Sequence, residues 1–106
     1  MNAYRLIILS PEKTEYEGTV VSLNIPCENG RLTVLAGHAP MVAAIAQGVM
    51  LIGTEEETLE GKMESGILKV SRNEAVVLAH SFEWTGEQRK TESGDSKKTD
   101  ENTLLM

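Results

Sequence analysis

Apolar positions between residues 4 and 84 recur at every second residue, in short bursts separated by turn-forming residues, and that period builds strands rather than helices. "TVVSLNI" (residues 19–25) puts Val21, Leu23 and Ile25 on one face and Val20, Ser22 and Asn24 on the other, a half-buried strand that continues from "TEYEG" as one long second strand. "ENG" follows, and its Asn29-Gly30 pair, which readily takes positive φ at both central positions, predicts a tight hairpin into "RLTVL". "TLEGKMES" alternates Leu59, Gly61 and Met63 against Glu60, Lys62 and Glu64, so it shows charge to water on one face and belongs toward a sheet edge. "GILKV" (66–70) and "AVVLA" (75–79) flank "SRNE", whose asparagine tolerates left-handed backbone, and form a second hairpin. "YRLIIL" (4–9) and "VMLI" (49–52) are apolar on both faces, which fits central strands. "PMVAAIAQG" stays open between a strand and a two-turn helix ended by Gly48, because alanine favours helix and proline is accepted at its first position.

After Trp84 the pattern stops. Residues 85–102, "TGEQRKTESGDSKKTDEN", contain no Val, Ile, Leu, Met or aromatic residue, so the stretch cannot offset the entropy of ordering. The chain therefore divides into one β domain, residues 1–84, and a polar, disordered tail, residues 85–106. Trp84 itself is either a lid over the sandwich or part of an exposed contact.

With 106 residues and 4% aromatics, the domain must build one thin core from Val, Ile, Leu, Met and Ala; Met41, Met50 and Met63 are read as core fillers. A net charge of -6 gives no support for gripping nucleic-acid phosphates. The single Cys27 excludes an internal disulfide, and the four-residue apolar run Leu6–Leu9 is too short for a signal core or a membrane span. Cys27, His38 and His80 share no metal-ligand spacing, "EEE" (55–57) reads as a solvated turn, and no nucleophile elbow or phosphate loop occurs. Neither catalysis nor a cofactor is expected. For His38 alone, the residues suggest only a loop histidine bonded to nearby backbone.

"GHAPMVAAIAQG" (37–48), preceded by a Pro-x-x-x-Gly turn from Pro26 to Gly30 and followed by "SGILKVSRNEAVVLA" (65–79), resembles the N-terminal domain of the epsilon subunit of F-type ATP synthases. "YRLIILSPEKTEYEGTV" (4–20) looks like that domain's first two strands, and the likeness covers about residues 4 to 84. It implies an all-β fold, a flattened ten-stranded sandwich of two five-stranded sheets. It also implies a non-catalytic rotor subunit that binds the gamma subunit and the c-ring in the central stalk and couples proton transport to ATP synthesis. Its place would be the cytoplasmic face of a bacterial inner membrane, held there through the complex, and the isolated chain would be monomeric.

By the same resemblance Ser10, Gly37, His38, Ala39 and Pro40 would meet gamma, and the tip Glu28, Asn29, Gly30 and Arg31 would face the c-ring. The family usually has an acidic residue at Arg31, glycine at Thr33 and proline at Ala36, so the electrostatics and shape of the tip differ here. Its C-terminal helical hairpin is replaced by the polar stretch, which implies a short form without hairpin inhibition. The competing expectation is a free-standing β-sandwich binding module.

Overall fold

The computed structural model describes residues 2–90. It is built from strands: β1 (Tyr4–Leu9), β2 (Thr14–Val20), β3 (Ser22–Cys27), β4 (Gly30–Leu35), β5 (Met41–Ile45), β6 (Gly48–Gly53), β7 (Glu57–Met63), β8 (Gly66–Ser71), β9 (Glu74–Ala79) and β10 (Phe82–Lys90). Hydrogen bonding runs β10-β7-β6-β3-β5-β8-β9-β1-β2, with β4 on the outer side of β3, and every pairing except the parallel β1–β9 is antiparallel. The path folds into two five-stranded layers, β10-β7-β6-β3-β4 and β5-β8-β9-β1-β2, as expected. They are continuous only at one corner, where Cys27 pairs with Ile45 and the Ala46 N–H donates to the Pro26 carbonyl at 2.9 Å.

The inner positions of both layers make one core: Leu6, Ile8, Val20, Leu23, Ile25, Met50, Ile52, Leu68 and Val77 are fully buried, and no polar or charged residue is buried among the described residues. Met50 and Met63 fill it, and Met41 packs against it. Tyr4 ties the layers together, its hydroxyl donating to the Val34 carbonyl of β4 at 2.7 Å; burial pushes this phenol up to about 12.

Two local expectations change, and the one left open at "PMVAAIAQG" is resolved. The long second strand is two strands, because the chain changes layers at Val21, whose N–H donates to the Gly53 carbonyl at 2.7 Å. The break shifts the alternation, so Val20 is fully buried with Leu23 and Ile25 while Val21 is only half-buried. In the β3–β4 hairpin the two linking residues are Glu28 and Asn29, between the paired Cys27 and Gly30, and positive φ is confined to Gly30, at 123°. "MVAAI" is strand β5, in register with β8 from Met41↔Val70 to Ile45↔Gly66; five residues cannot repay helix nucleation, whereas a waiting strand edge satisfies their backbone directly.

The β8–β9 hairpin turns through Arg72 and Asn73, with Asn73 at φ 66°, as read from "SRNE". Strand β7 buries Leu59, Gly61 and Met63 and exposes Lys62; it lies second from the edge, covered by β10. The Phe82 ring of β10 packs on Gly61, where a Cβ would lie 2.3 Å from its Cζ, so the site admits only glycine without displacement of the ring. Phe82, Trp84 and Tyr16 meet edge to face, with centroids 4.9 Å and 5.9 Å apart, and close the gap between the edge strands β10 and β2. Trp84 thus covers the edge of the sandwich through its rings' contacts and is at the same time partly exposed, at 37%, so both readings of it stay open.

Strand β10 pairs with β7 past Trp84, through a bulge, to Lys90. The backbone order continues beyond residue 84 because ladder hydrogen bonds need no apolar side chain. The remainder of the expected tail, residues 91–106, lies outside the described residues.

Candidate functional site

The residues singled out in the sequence occupy two ends of the β5-β8-β9-β1 layer. Strand β5 begins beside Val70 and ends beside Gly66, and β1 runs from the Glu74 end of β9 to Leu78. Residues 37–40, which lead into β5, therefore sit at one end, and Ser10, which follows β1, sits at the other. Strand geometry separates them by roughly 20 Å.

At the first end, Gly37 takes φ 85°, a left-handed value that glycine accommodates best. The His38 N–H donates to the Leu35 carbonyl at 3.1 Å, and the half-buried imidazole places Nδ1 2.8 Å from the Ala39 carbonyl. A carbonyl can only accept, so Nδ1 carries the proton. The expected bond to nearby backbone is present. Gly37, His38, Ala39 and Pro40 line an open notch of about 460 Å³ with Arg72 and Asn73.

At the second end, the Ser10 hydroxyl is occupied by its own turn. It lies 2.8 Å from Glu15 Oε2 and 3.2 Å from the Lys13 carbonyl, and it accepts the N–H groups of Glu12 and Lys13, each at 3.3 Å. Ser10 fixes the β1–β2 turn. Glu28, from the β3–β4 tip, joins Ser10, Ile67, Leu78 and His80 around a depression of about 660 Å³, so the structure brings Ser10 nearer to the tip than to His38.

Glu28, Asn29 and Gly30 are exposed at the tip, whereas Arg31 turns back along the sheet. Its Nε donates to Asn24 Oδ1, and its Nη2 donates to the Val49 carbonyl at 2.5 Å; Asn24 Nδ2 in turn donates to Thr33 Oγ1 at 2.7 Å. The arrangement has a backbone cause. β3–β6 pairing stops at Asn24↔Leu51, and two residues on is Pro26, which has no N–H to offer β6. Arg31 supplies the donor, and Arg31 and Thr33, two positions where the chain departs from the epsilon pattern, belong to one network.

The feature that sequence reasoning missed lies between the two ends. Outward positions align across the strands as Ala44-Ile67-Leu78-Leu9 and as Val42-Lys69-Val76-Ile7. Val42 is 69% exposed, Leu78 49% and Ile67 48%, a contiguous apolar face rather than scattered residues. A partial signal was available in Ile67 of "GILKV" and in Val76 and Leu78 of "AVVLA", which are apolar at outward positions, but only the register of four strands joins them into a face. On the other layer Leu35 and Val49 are also exposed, but register sets Ser22 beside the first and Lys62 beside the second.

Cys27 is a half-buried free thiol on β3 and His80 follows β9, whereas His38 stands at the far end; no group of three or more His, Cys, Asp or Glu that could hold a metal ion forms among the described residues. No helix among them is long and apolar enough to cross a membrane.

Residues 3–85 match the family described as ATP synthase, Delta/Epsilon chain, beta-sandwich domain. The chain is 32% identical over 102 residues to the ATP synthase epsilon chain of Clostridium novyi, covering 95% of this chain and 78% of that protein. Its identity to the epsilon chain of Ruminococcus albus is 35% over 88 residues, covering 82% and 66% respectively. For the chloroplastic epsilon chain of Tetradesmus obliquus the identity is 33% over 79 residues, covering 74% and 58%. Among solved structures, the fold is similar to a chain of the Euglena gracilis mitochondrial ATP synthase (OSCP/F1/c-ring) with TM-score 0.71 at 18% identity, covering 74% of this chain and 51% of that one. It is also similar to a chain of the Tetrahymena thermophila mitochondrial ATP synthase central stalk and c-ring, with TM-score 0.65 at 12% identity, covering 74% and 63%.

Proposed function

The chain belongs to the ATP synthase delta/epsilon chain β-sandwich family, and from that premise we propose that it is a non-catalytic subunit of the central stalk. In this reading it binds the gamma subunit and the c-ring, turns with them, and couples proton transport to ATP synthesis at the cytoplasmic face of a bacterial membrane.

The observation that carries the proposal is the apolar outer face of the β5-β8-β9-β1 layer. Water is a poor neighbour for Val42, Ile67 and Leu78, which together present aliphatic surface that association would bury. The face also joins the two separated groups of residues, because Pro40 leads into β5 at one end and Ser10 follows β1 at the other. A gamma subunit covering it would reach Gly37, His38, Ala39, Pro40 and Ser10 together. Ser10 and His38 then serve as turn-stiffening residues at the borders of the contact rather than as its energetic centre. The exposed tip Glu28-Asn29-Gly30, which lies at the Ser10 end beside Ala44 and Ile45 of β5, would then meet the c-ring, with Arg31 bracing β4 behind it.

The test is reconstitution with the gamma subunit of the same enzyme. A stable one-to-one complex is expected, and Ile67→Asp should abolish it while the thermal midpoint of the free chain stays nearly constant. A complex indifferent to Ile67→Asp would refute docking by this face. For the tip, Glu28→Cys in a Cys27→Ser background should cross-link to the c-ring in the assembled enzyme, and absence of that product would refute the second contact.

A further inference from the structure

One charged side chain interrupts the apolar rows. Lys69 stands in register between Val42 of β5 and Val76 of β9. Its chain neighbours Leu68 and Val70 are buried, so Lys69 points outward, and it is exposed. Its ammonium makes no ion pair or hydrogen bond with another described residue. Glu74, two positions from Val76 along β9, makes no ion pair with it, and Glu17, three strands away, is held by Arg5. Arg72, in the turn that ends β8 on the His38 side, is likewise without a partner among the described residues.

Against water an unpaired ammonium carries no penalty. Under a partner it does, because stripping its hydration is costly unless an acceptor of opposite charge takes the water's place. A surface that met this face with aliphatic groups alone would cover Val42, Ile67 and Leu78 well and leave Lys69 desolvated. On the reading that a stalk subunit covers this face, we infer that the covering surface presents a carboxylate opposite Lys69, set among apolar side chains. The face then selects its partner by one charge as well as by shape, since a partner offering a cation or only hydrocarbon at that point is penalised.

The experiment measures affinity for the purified gamma subunit of the same enzyme, at low and high salt, using the whole chain and its Lys69→Met, Lys69→Glu and Ile67→Asp variants. Both sites, Lys69 and Ile67, are exposed, and unchanged thermal midpoints would verify that the three variants fold. Lys69→Met keeps length and apolar contact but removes charge. It should weaken binding by about tenfold or more, and Lys69→Glu by more still, because each leaves the partner's carboxylate unpaired. The salt dependence of the unmodified chain should shrink in Lys69→Met. If Lys69→Met binds as tightly as the unmodified chain or more tightly, while Ile67→Asp abolishes binding, the partner carries no carboxylate there and the inference is overturned with the docking face intact. If Ile67→Asp also leaves binding unchanged, the docking face itself is wrong, and the inference falls with it.

Discussion

The two layers of this sandwich turn very different surfaces outward. On β3, β4, β6 and β7 the outward side chains are mostly polar: Arg31 and Asn24 bond across strands, Asn24 bonds Thr33, and the exposed Leu35 and Val49 each stand beside a polar neighbour, Ser22 and Lys62. On β5, β8, β9 and β1 the outward positions include Val42, Ala44, Ile67, Val76, Leu78, Ile7 and Leu9, with the unpaired Lys69 among them and the polar Arg5, Ser71 and Glu74 in the row at the His38 end. Alternation builds both, and the inward halves are equally apolar. The difference teaches that period two reports only which residues face the core, while the outward half is free to be polar on one layer and aliphatic on the other.

The largest expected effect is one the two layers share. Leu68→Ala, beneath the apolar face, and Leu23→Ala, beneath the polar one, each remove a fully buried side chain and should each cost about 2–5 kcal/mol of unfolding free energy in denaturant titrations. A large disparity between them would mean that the layers differ inside as well as outside.

Placing acid on both Ile67 and Leu78 should sharpen the contrast. The double variant should lose about 3 kcal/mol or more of binding to gamma, read by calorimetry, with little change in its own stability. The same exchange at Leu35, on the polar layer, should leave binding intact.

Tyr4 tests how the layers are held together. Its phenol is kept neutral by burial, so the folded state holds its proton from the ordinary value of 10.0 up to about 12. That contribution is complete below pH 10 and is lost as pH rises toward 12, at most about 3 kcal/mol over the interval. Thermal midpoints should fall across this window more steeply in the unmodified chain than in Tyr4→Phe. Tyr16, raised by burial and by Glu57, adds a slope of the same sign in both proteins.

The smallest effect belongs to the polar network. Arg31→Ala removes the donor to the Val49 carbonyl and should cost about 1 kcal/mol or less, because water can reach this exposed site. Binding to gamma should not change. A marked loss would place Arg31 in the contact and blur the division between the faces.

Much of this was readable in the chain itself. The strands, the hairpin through Arg72 and Asn73, the charged side of "TLEGKMES" and the methionine-filled core follow from local alternation and turn chemistry, since each depends on residues adjacent in sequence. The resemblance of residues 37–48 and 65–79 to the epsilon family likewise needs nothing but the order of residues. Tertiary structure alone decided what depends on distant partners. The change of layer at Val21 is fixed by the Gly53 carbonyl, "MVAAI" became a strand because β8 offered an edge, and β10 continued past Trp84 because β7 supplied a ladder. Arg31 left the tip to serve a carbonyl that Pro26 could not, and Ser10 spent its hydroxyl on its own turn. The apolar face appeared only when four strands came into register, because a surface is a property of neighbours in space, and sequence specifies neighbours only along the chain.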